Sequence, residues 1–369
     1  MTANRSDPPR APGYDFVPAR SIDEARLIAF AAAVWPDRRS ELVSRWWRRA
    51  EPGCAVAAVH EPTGAMAGFC SARPSHWVID GQTVPAIAIC DWYVDPAHAG
   101  KGLGQHLMQH FEMVDQFVYA FSVSDAAIAI FKKLGWTGPH RASLMALPLP
   151  SIAKLRAIVF GGRVPVDLED WLIGPAGLAH VAAKRRQVRQ PDDAGAFWSA
   201  LDRIEASRRS DGRAHMQRGE AEWRWRLSVC GERSYHFCLA RSAGEPVGYV
   251  AVRRLTPGTS RQLGRVSGAL ITDLVAVHDE PAVLRALATR AVAVASELGT
   301  TVVLAATNEP SQRAALAKAG FLSPDFPLLG RVLSHRSPQY MWLPKGPSAN
   351  ISAGTMAVSF SDSDVDLLL

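Results

Sequence analysis

Apolar residues along this chain follow two patterns, short continuous runs that favour strands and regularly spaced positions that favour helices. In the first half, strand-like runs cover Cys54–Val59, Ala65–Ser71 and Ala86–Val94, and a glycine-containing turn joins the first two. The third run leads into a segment whose apolar residues recur at helical spacing, at Leu103, Leu107, Phe111 and Val114. The pattern predicts an amphipathic helix directly after a buried strand.

The second half repeats this order of elements. Strand-like runs cover Tyr235–Ala240, Pro246–Val252 and Ala269–Val277, and a long helical segment follows, with apolar residues at Leu284, Leu287, Ala288, Ala291, Ala295 and Leu298. In both halves a short strand and a further helix come next, and a glycine followed by an aromatic residue ends that helix. The order predicts two tandem domains of the α/β (α+β) class, each with a mixed central sheet flanked by helices.

The length of 369 residues also favours two domains, because one compact core seldom supports so long a chain. We place the N-terminal domain at 14–150 and the C-terminal domain at 190–345. The segment 151–189 contains Gly–Gly and Gly–Pro pairs, which predict an irregular linker with a short helix near Ile152–Val159. Residues 346–369 are rich in Ser, Gly and Asp and are predicted to form a mobile acidic tail.

Composition narrows the class of protein without indicating an activity. Hydrophobic residues make up 48% and charged residues 21% of the chain, and no apolar run approaches the roughly 20 residues that span a bilayer. The first 12 residues lack the apolar core of a secretory signal, and the five cysteines lack metal-binding spacing. We expect a cytoplasmic protein with no transmembrane segment and no metal site. A net charge of +6 favours anionic partners such as a nucleotide, and nucleic acid is not expected.

One segment has the pattern of an anion-binding turn. A strand ends at Pro96, a glycine-rich turn follows, and a helix begins near Gly102. Glycines allow a ligand to approach the backbone closely, and the first amides of a helix have no partner within it, so such a turn suits a pyrophosphate. Lys101 would add a charge-assisted contact. A turn that binds nothing, with Lys101 facing solvent, is the alternative.

Two stretches of this region resemble motifs of a known family. The string WYVDPAHAGKGLGQHLM resembles the acetyl-CoA signature of the GNAT acyltransferases, and SDAAIAIFKKLGW resembles the next motif of that family. The resemblance covers residues 14–150 and, more weakly, 195–345. It implies the GNAT fold, acetyl-CoA as cosubstrate, and direct acyl transfer to an amine without a covalent enzyme intermediate.

The resemblance also implies roles for individual residues. The strand backbone at Tyr93 and Val94 would pair with the pantetheine arm and polarise the thioester carbonyl, so Tyr93 is expected to be both catalytic and cofactor-binding. The diphosphate would lie on the turn and on the first residues of the helix, namely Ala99, Gly100, Lys101, Gly102, Leu103 and Gly104.

Three positions depart from the family pattern. Ala99 stands where the family has Gln or Arg, so one side-chain contact to the phosphates is missing, and Ser124 stands where the second motif begins with Asn. Phe131, which we place at the cofactor, occupies the position at which many members have a Tyr that protonates the departing thiolate. Because Phe cannot donate a proton, water or another residue must do so.

The reaction also needs a general base within about 2.6–3.2 Å of the attacking amine, directly or through a water. Asp91, on the strand that leads into the turn, is the first candidate, and a structural carboxylate paired with an arginine is the alternative. His76, His98 and His106 are further candidates.

The second half has no glycine turn at the corresponding place. Val277–Ala282 contains two carboxylates, which would repel a pyrophosphate, so this half is predicted to bind no CoA and to complete the acceptor pocket or stabilise the first domain. The arginine-rich stretches 184–189 and 203–213 are either a binding surface for an anionic nucleotide effector or a solvated face. Tryptophans stand beside arginines in both halves, at Trp46, Trp47, Trp223 and Trp225. These rings either belong to the core or provide surfaces on which a sugar stacks.

Together these features favour an acetyl-CoA-dependent N-acetyltransferase. The tandem layout resembles bacterial GNAT proteins of exopolysaccharide or cell-envelope synthesis, so the expected acceptor is an amino sugar of such a precursor or another small-molecule amine. A protein or peptide amine is the second hypothesis. A non-catalytic sensor of acyl-CoA or a nucleotide is the third, which Phe131 and Ala99 favour.

Overall fold

The computed structural model describes residues 11–34, 54–112, 116–149, 166–173, 194–229, 235–255, 267–323, 337–346 and 349–359. The helices in these ranges are α1 (Glu24–Val34), α2 (Leu103–Glu112), α3 (Asp125–Lys133), α4 (Ala194–Arg208), α5 (Glu220–Val229), α6 (Pro281–Glu297) and α7 (Pro310–Lys318). The strands are β1 (Tyr14–Pro18), β2 (Ala55–His60), β3 (Met66–Ile79), β4 (Gln82–Val94), β5 (Phe117–Phe121), β6 (Thr137–Arg141), β7 (Ser143–Pro148), β8 (Asp167–Ile173), β9 (Ala214–Met216), β10 (Tyr235–Ser242), β11 (Glu245–Leu255), β12 (Gly268–Ala276), β13 (Val302–Thr307), β14 (Gln339–Leu343) and β15 (Met356–Ala357).

The first sheet has the strand order β1-β2-β3-β4-β5-β14-β6, with β9 beside β3 and β15 beside β9. The β4–β5 pair is parallel, and the other neighbours on the main path are antiparallel. One face packs against α2 and α3 through a core that includes Ile87, Leu107 and Phe131. The opposite face is an aromatic core around Trp77 and Trp342. Both faces of the central strands are therefore buried.

The second sheet has the order β7-β13-β12-β11-β10-β8, and only its β12–β13 pair is parallel. Its larger core lies against α6, whose apolar positions predicted from the sequence include Leu284 and Leu287. The other face packs on α4 and α5 through residues such as Phe197 and Trp223. Mixed sheets flanked by helices confirm the predicted α/β (α+β) class.

The two sheets exchange strands. β7, which follows the first-half strands along the chain, pairs with β13 in the second sheet, where Ser143 lies opposite Thr307. β14, which comes from the second half, lies between β5 and β6 in the first sheet, where Tyr340 is opposite Phe121. The predicted boundaries at 14–150 and 190–345 therefore do not coincide with the membership of the sheets.

The central strands of the two sheets correspond in detail. Ala86–Ile89 of β4 and Gly268–Ile271 of β12 each form the parallel pairing with the next strand. Just past it, both strands have an irregular register with their antiparallel neighbour, beside Asp91 and Asp273. The acidic residue that the sequence places inside each strand thus lies at an equivalent point.

Parts of the predicted linker and tail are ordered elements. β8 falls within 151–189 and pairs with β10 along its whole length, whereas the helix expected near Ile152–Val159 lies outside the described residues. Residues 349–359 of the predicted mobile tail are docked, because β15 pairs with β9 and Met356 and Val358 are buried.

No helix of the described residues is both long and apolar enough to cross a membrane. Cys54, Cys70, Cys90 and Cys238 form no disulfide, and burial raises the pKa of Cys70 and Cys238 well above the usual value for a thiol. Across these same ranges, no three His, Cys, Asp or Glu side chains gather as metal ligands.

Candidate active site

The segment Ala99–Gly104, called here the phosphate loop, leads from β4 into α2. Its residues 99–102 are exposed, and Leu103 and Gly104 are buried in the first turn of α2. The loop is preceded by a short 3-10 turn in which the Asp95 carboxylate accepts a hydrogen bond from the N–H of Ala97 at 2.8 Å. Gly100 and Gly102 then take φ values of +77° and +75°, and α2 begins at Leu103. The local geometry therefore presents backbone amides at an exposed helix start, as an anion site requires.

Glycine is favoured at the three glycine positions of this loop for different physical reasons. A Cβ atom at Gly100 would meet no atom within 4 Å, and one at Gly102 would meet only the His106 ring, at 3.9 Å. Their positive φ, not crowding, favours glycine, and the space beside the backbone is open. A Cβ at Gly104 would lie 3.2 Å from the Trp92 ring, which is a tight contact, so glycine favours the close packing of α2 against β4.

β4 continues past its parallel neighbour toward the phosphate loop. Its pairing with β5 covers Ala86–Ile89, but the strand itself extends to Val94. Tyr93 and Val94 lie on this extension, between the end of the β5 pairing and the loop, and they pair with β3 on the other side. The structure thus places both predicted backbone positions next to the predicted phosphate site.

Phe131 does not lie at an open surface. Its ring is 1% exposed and stacks between Trp92, at 5.2 Å between centroids, and Trp136, at 4.2 Å. The Phe131 ring is therefore part of the core between β4 and α3, and its contact with the cofactor stays a prediction. Ser124 caps α3 as expected, since its hydroxyl accepts a hydrogen bond from the N–H of Ala127.

Asp91 and Tyr93 both lie on the part of β4 that extends past its pairing with β5. The Asp91 side chain is buried, and its charge adds to burial in raising the pKa of the Cys70 thiol. Tyr93 is half-buried, and its ring meets Phe30 of α1 edge-on at 5.9 Å. The candidate base is therefore shielded from bulk water, and α1 provides the wall beside Tyr93.

The three candidate histidines lie in different places. His98 is in the short turn before the phosphate loop, and its Nδ1 is 2.8 Å from the Tyr14 hydroxyl. His106 is half-buried on α2 beside Gly102. His76 is exposed on β3, in the part of that strand that pairs with β9, away from the loop. The structure brings His98 and His106 near the predicted site and leaves His76 apart from it.

The corresponding turn of the second half is closed by its own side chains. The Glu280 carboxylate accepts a hydrogen bond from the N–H of Ala282 and so occupies the start of α6. Asp279 pairs with Arg213 and accepts a hydrogen bond from the Ser311 hydroxyl. The N–H of Ala282 at the start of α6 is thus already capped by a protein carboxylate.

Asp273, the acidic residue of β12, is held by hydrogen bonds and an ion pair. Asp273 accepts a hydrogen bond from the Tyr249 hydroxyl at 2.6 Å, pairs with Arg218 at 3.1 Å, and lies 3.3 Å from the Ser359 hydroxyl. Proximity to this carboxylate and burial raise the pKa of Tyr249 well above its usual range, with burial the larger cause. These contacts fill the second-half position that corresponds to the candidate base.

The described tryptophan and arginine pairs are mostly structural. Trp223 is wholly buried, whereas Trp225 is half-buried and lies under the Arg73 guanidinium at 5.3 Å. Trp46, Trp47 and the stretch 184–189 lie outside the described residues. In the stretch 203–213 three arginines are paired with carboxylates, namely Arg203 with Glu245, Arg208 with Glu205, and Arg213 with Asp279 and Glu309.

Sequence reasoning missed a buried ionic cluster between the halves. Arg73 of β3 donates to Glu222 of α5 at 2.6 Å, and Arg226 donates to the same oxygen at 2.8 Å. Although burial opposes ionisation, the two guanidinium groups lower the pKa of Glu222. Arg73 and Glu222 are 149 residues apart, so no local pattern signals their contact.

Comparison with known proteins agrees with this geometry. The sequence model of the acetyltransferase (GNAT) family matches residues 20–136, a range that contains β4, the phosphate loop and α3. No curated protein matches the sequence.

Solved structures share the fold at low sequence identity. A GCN5-related N-acetyltransferase from Anabaena variabilis is 15% identical, with a TM-score of 0.52 over 89% of this chain and 72% of that one. A probable N-acyltransferase of unknown function from Enterococcus faecalis is 9% identical, with a TM-score of 0.56 over 89% and 71%. Saccharomyces cerevisiae N-myristoyltransferase with bound myristoyl-CoA is 12% identical, with a TM-score of 0.51 over 91% and 83%.

Proposed function

We propose that this chain is a GNAT-type N-acyltransferase, and that the phosphate loop, which lies within the residues 20–136 that match the GNAT family model, is its site for acetyl-CoA or another acyl-CoA as cosubstrate. The observation that carries the proposal is the open backbone of Gly100 and Gly102 at the start of α2, directly after the extension of β4. Amides of Gly100–Gly104 hold the diphosphate, and Lys101 adds a cationic contact.

Transfer then takes place along the β4 extension. The amine attacks the thioester carbonyl, the tetrahedral intermediate forms, and the C–S bond breaks to give the amide and the CoA thiolate. The backbone N–H of Val94, which points away from β3, stabilises the developing oxyanion, because a fixed dipole needs no reorganisation, whereas the N–H of Tyr93 faces β3. Asp91 accepts the proton of the attacking amine, directly or through water. Water protonates the thiolate, since Phe131 has no proton to give.

We further propose that the second half is a degenerate copy that binds no CoA. Support comes from Glu280, which caps α6 where the first half has its open loop, and from the contacts that occupy Asp273. Its role is to support the first sheet, to which it supplies β14, and to line the acceptor side with Trp225.

We propose an amino sugar as the acceptor of the acyl group. Trp225 supports it, because this half-buried ring has one face under Arg73 and is the kind of surface on which a sugar ring stacks. Peptide amines remain the second acceptor class. Mass spectrometry of glucosamine, putrescine and a short peptide after incubation with acetyl-CoA tests this choice, and acetylated peptide or diamine without acetylated glucosamine would reject the sugar.

Thioester consumption tests the activity itself. Acetyl-CoA is incubated with the protein, with and without a mixture of primary amines, and released thiol is followed by a colorimetric reagent. We expect release that depends on the amine. Tight acetyl-CoA binding in calorimetry with no amine-dependent release would instead favour the sensor hypothesis.

A further inference from the structure

Three basic side chains gather around one tyrosine beside the phosphate loop, and His60, His98 and Lys101 are together called the basic cluster. The Tyr14 hydroxyl lies 2.8 Å from His98 Nδ1, and the Tyr14 ring lies 5.3 Å from the ring of His60. The two imidazoles are 5.0 Å apart, and Lys101 Nζ lies over the Tyr14 ring at 5.7 Å from its centroid.

Strand register explains why these residues meet. Tyr14 begins β1 and pairs with His60 at the end of β2, while β3 begins at Met66 and pairs near its start with the end of β4. The ends of all four strands therefore lie along the edge of the sheet at which the phosphate loop leaves β4. His98, in the short turn before the loop, and Lys101, in the loop, both reach Tyr14 of β1.

The basic cluster has no acidic counterpart within the described parts of the chain. No carboxylate there lies within 4.0 Å of Lys101, His60 or His98, whereas several buried or half-buried arginines of the described residues pair with carboxylates. Lys101 is exposed, and both imidazoles are half-buried, so a ligand can reach all three. Gathering basic groups without an anion is unfavourable, and binding of a phosphate removes that cost.

From this arrangement we infer that the basic cluster is a subsite for the 3′-phosphate of CoA, and that the protein therefore selects CoA over nucleotides and CoA derivatives that lack this group. The inference rests on the proposed function, because the diphosphate must lie on the phosphate loop for the ribose phosphate to reach Tyr14.

The hydrogen-bonding capacity of the cluster fits a phosphate monoester. His98 Nδ1 is engaged by Tyr14 and His60 Nδ1 lies 2.9 Å from the Thr63 hydroxyl, which fixes both rings. Nε2 of each ring has no partner among the described residues. Each can donate to a phosphate oxygen, Lys101 supplies an ammonium group, and the three donors match the three terminal oxygens of the phosphate.

Calorimetric titration with acetyl-CoA and acetyl-dephospho-CoA tests the inference on the full chain. We expect the wild type to bind acetyl-CoA about tenfold or more tightly, which corresponds to one charge-assisted hydrogen bond. His98→Gln and His60→Gln should each remove most of this preference by weakening acetyl-CoA alone. Tyr14→Phe, which keeps the ring and removes the hydroxyl, should have a smaller effect in the same direction.

Matched control variants distinguish loss of the subsite from a general effect of charge and from an effect on folding. Lys132→Gln removes one positive charge from an exposed lysine of α3, and His278→Gln replaces an exposed histidine of the second half. Both controls should keep the wild-type preference. His60 lies outside the phosphate loop, so His60→Gln tests the subsite even if His98→Gln disturbs the turn.

The outcomes distinguish this inference from the proposed function. Equal affinity of the wild type for the two thioesters, or variants that weaken both equally, would overturn the subsite while leaving the phosphate loop as the CoA site. Failure of both thioesters to bind would overturn the proposed function as well.

Discussion

Asp91 and Asp273 occupy equivalent positions in the two halves, and we propose different roles for them. Asp273 is held by Tyr249, Arg218 and Ser359, so its charge stabilises the second half. Asp91 is also buried, but it lies on the strand that leads into the phosphate loop. Location beside the loop, and not burial, distinguishes the candidate base from its structural counterpart.

Asp91→Asn is expected to lower kcat by about 10²–10⁴-fold, because an amide cannot accept the proton of the attacking amine. The acetyl-CoA dissociation constant should change by less than about threefold, since the substitution leaves the phosphate loop intact. Steady-state kinetics and calorimetry on the same preparation check both values.

Asp273→Asn is the matched control for that prediction. It removes the charge paired with Arg218, so it should lower the thermal midpoint more than Asp91→Asn does. A kcat for Asp91→Asn within about threefold of wild type would contradict the assignment of Asp91 as the base.

Among the elements, β9 links the two halves through a buried carboxylate. His215 of β9 lies 3.0 Å from the Glu205 carboxylate of α4, and β9 itself pairs with β3. Burial opposes ionisation of Glu205, but the hydrogen bond from His215 and the charges of Arg208 and Arg218 lower its pKa to about 2. An ionised Glu205 therefore stabilises the attachment of β9.

The lowered pKa of Glu205 predicts an acid-dependent stability. Because the folded pKa is below the unfolded value of 4.5, the unfolded chain takes up the proton first, and the stabilisation present above pH 4.5 is lost between pH 4.5 and 2. Glu205→Gln should lower the free energy of unfolding at pH 7 by about 3 kcal/mol and make it less dependent on pH in that window. Urea unfolding at several pH values measures this, and an unchanged slope for Glu205→Gln would contradict it.

Local patterns predicted the elements around the phosphate loop but not the full length of the strands. The sequence predicts a strand at Ala65–Ser71, whereas β3 continues to Ile79. Arg73 and Ser75 interrupt the apolar run, and these polar residues are buried because Glu222 and Tyr119 supply partners from elsewhere. Residue order alone does not contain those partners.

In the candidate site, too, local features could be predicted from the sequence and long-range contacts could not. The glycine turn, the helix start and the Ser124 cap follow from short-range chemistry, so the sequence is sufficient to predict them. Burial of Phe131 depends on how the Trp92 ring packs between α2 and α3, which motif spacing does not specify. The basic cluster combines residues from β1, β2 and the loop and likewise depends on strand register.

At the scale of the whole molecule, exchange of β7 and β14 makes each sheet depend on both halves of the chain. Without β14, β5 and β6 lose the strand between them, and Trp342, wholly buried in the aromatic core, is removed with it. Without β7, β13 becomes an open edge of the second sheet. Neither half is complete by itself.

This exchange predicts that the chain unfolds in one cooperative step. Differential scanning calorimetry should show a single transition, and Trp342→Ala should move the whole transition to lower temperature, with a cost of about 3–5 kcal/mol. Two separate transitions, or a shift of only part of the heat absorption in Trp342→Ala, would contradict the dependence of each sheet on the other half.

The central claim, that the open amides of the phosphate loop bind the diphosphate of an acyl-CoA, is tested most directly by titrating acetyl-CoA into Gly102→Asp. Asp tolerates a positive φ better than most residues, and a Cβ at this position meets only the His106 ring at 3.9 Å, so the fold should persist. Gly244→Asp, at a turn glycine with φ +85° and open space around it, is the matched control.

We predict that the affinity for acetyl-CoA falls by about 100-fold or more in Gly102→Asp, because a carboxylate then lies where the diphosphate binds, and stays at the wild-type value in Gly244→Asp. Wild-type affinity in a folded Gly102→Asp protein would contradict the claim.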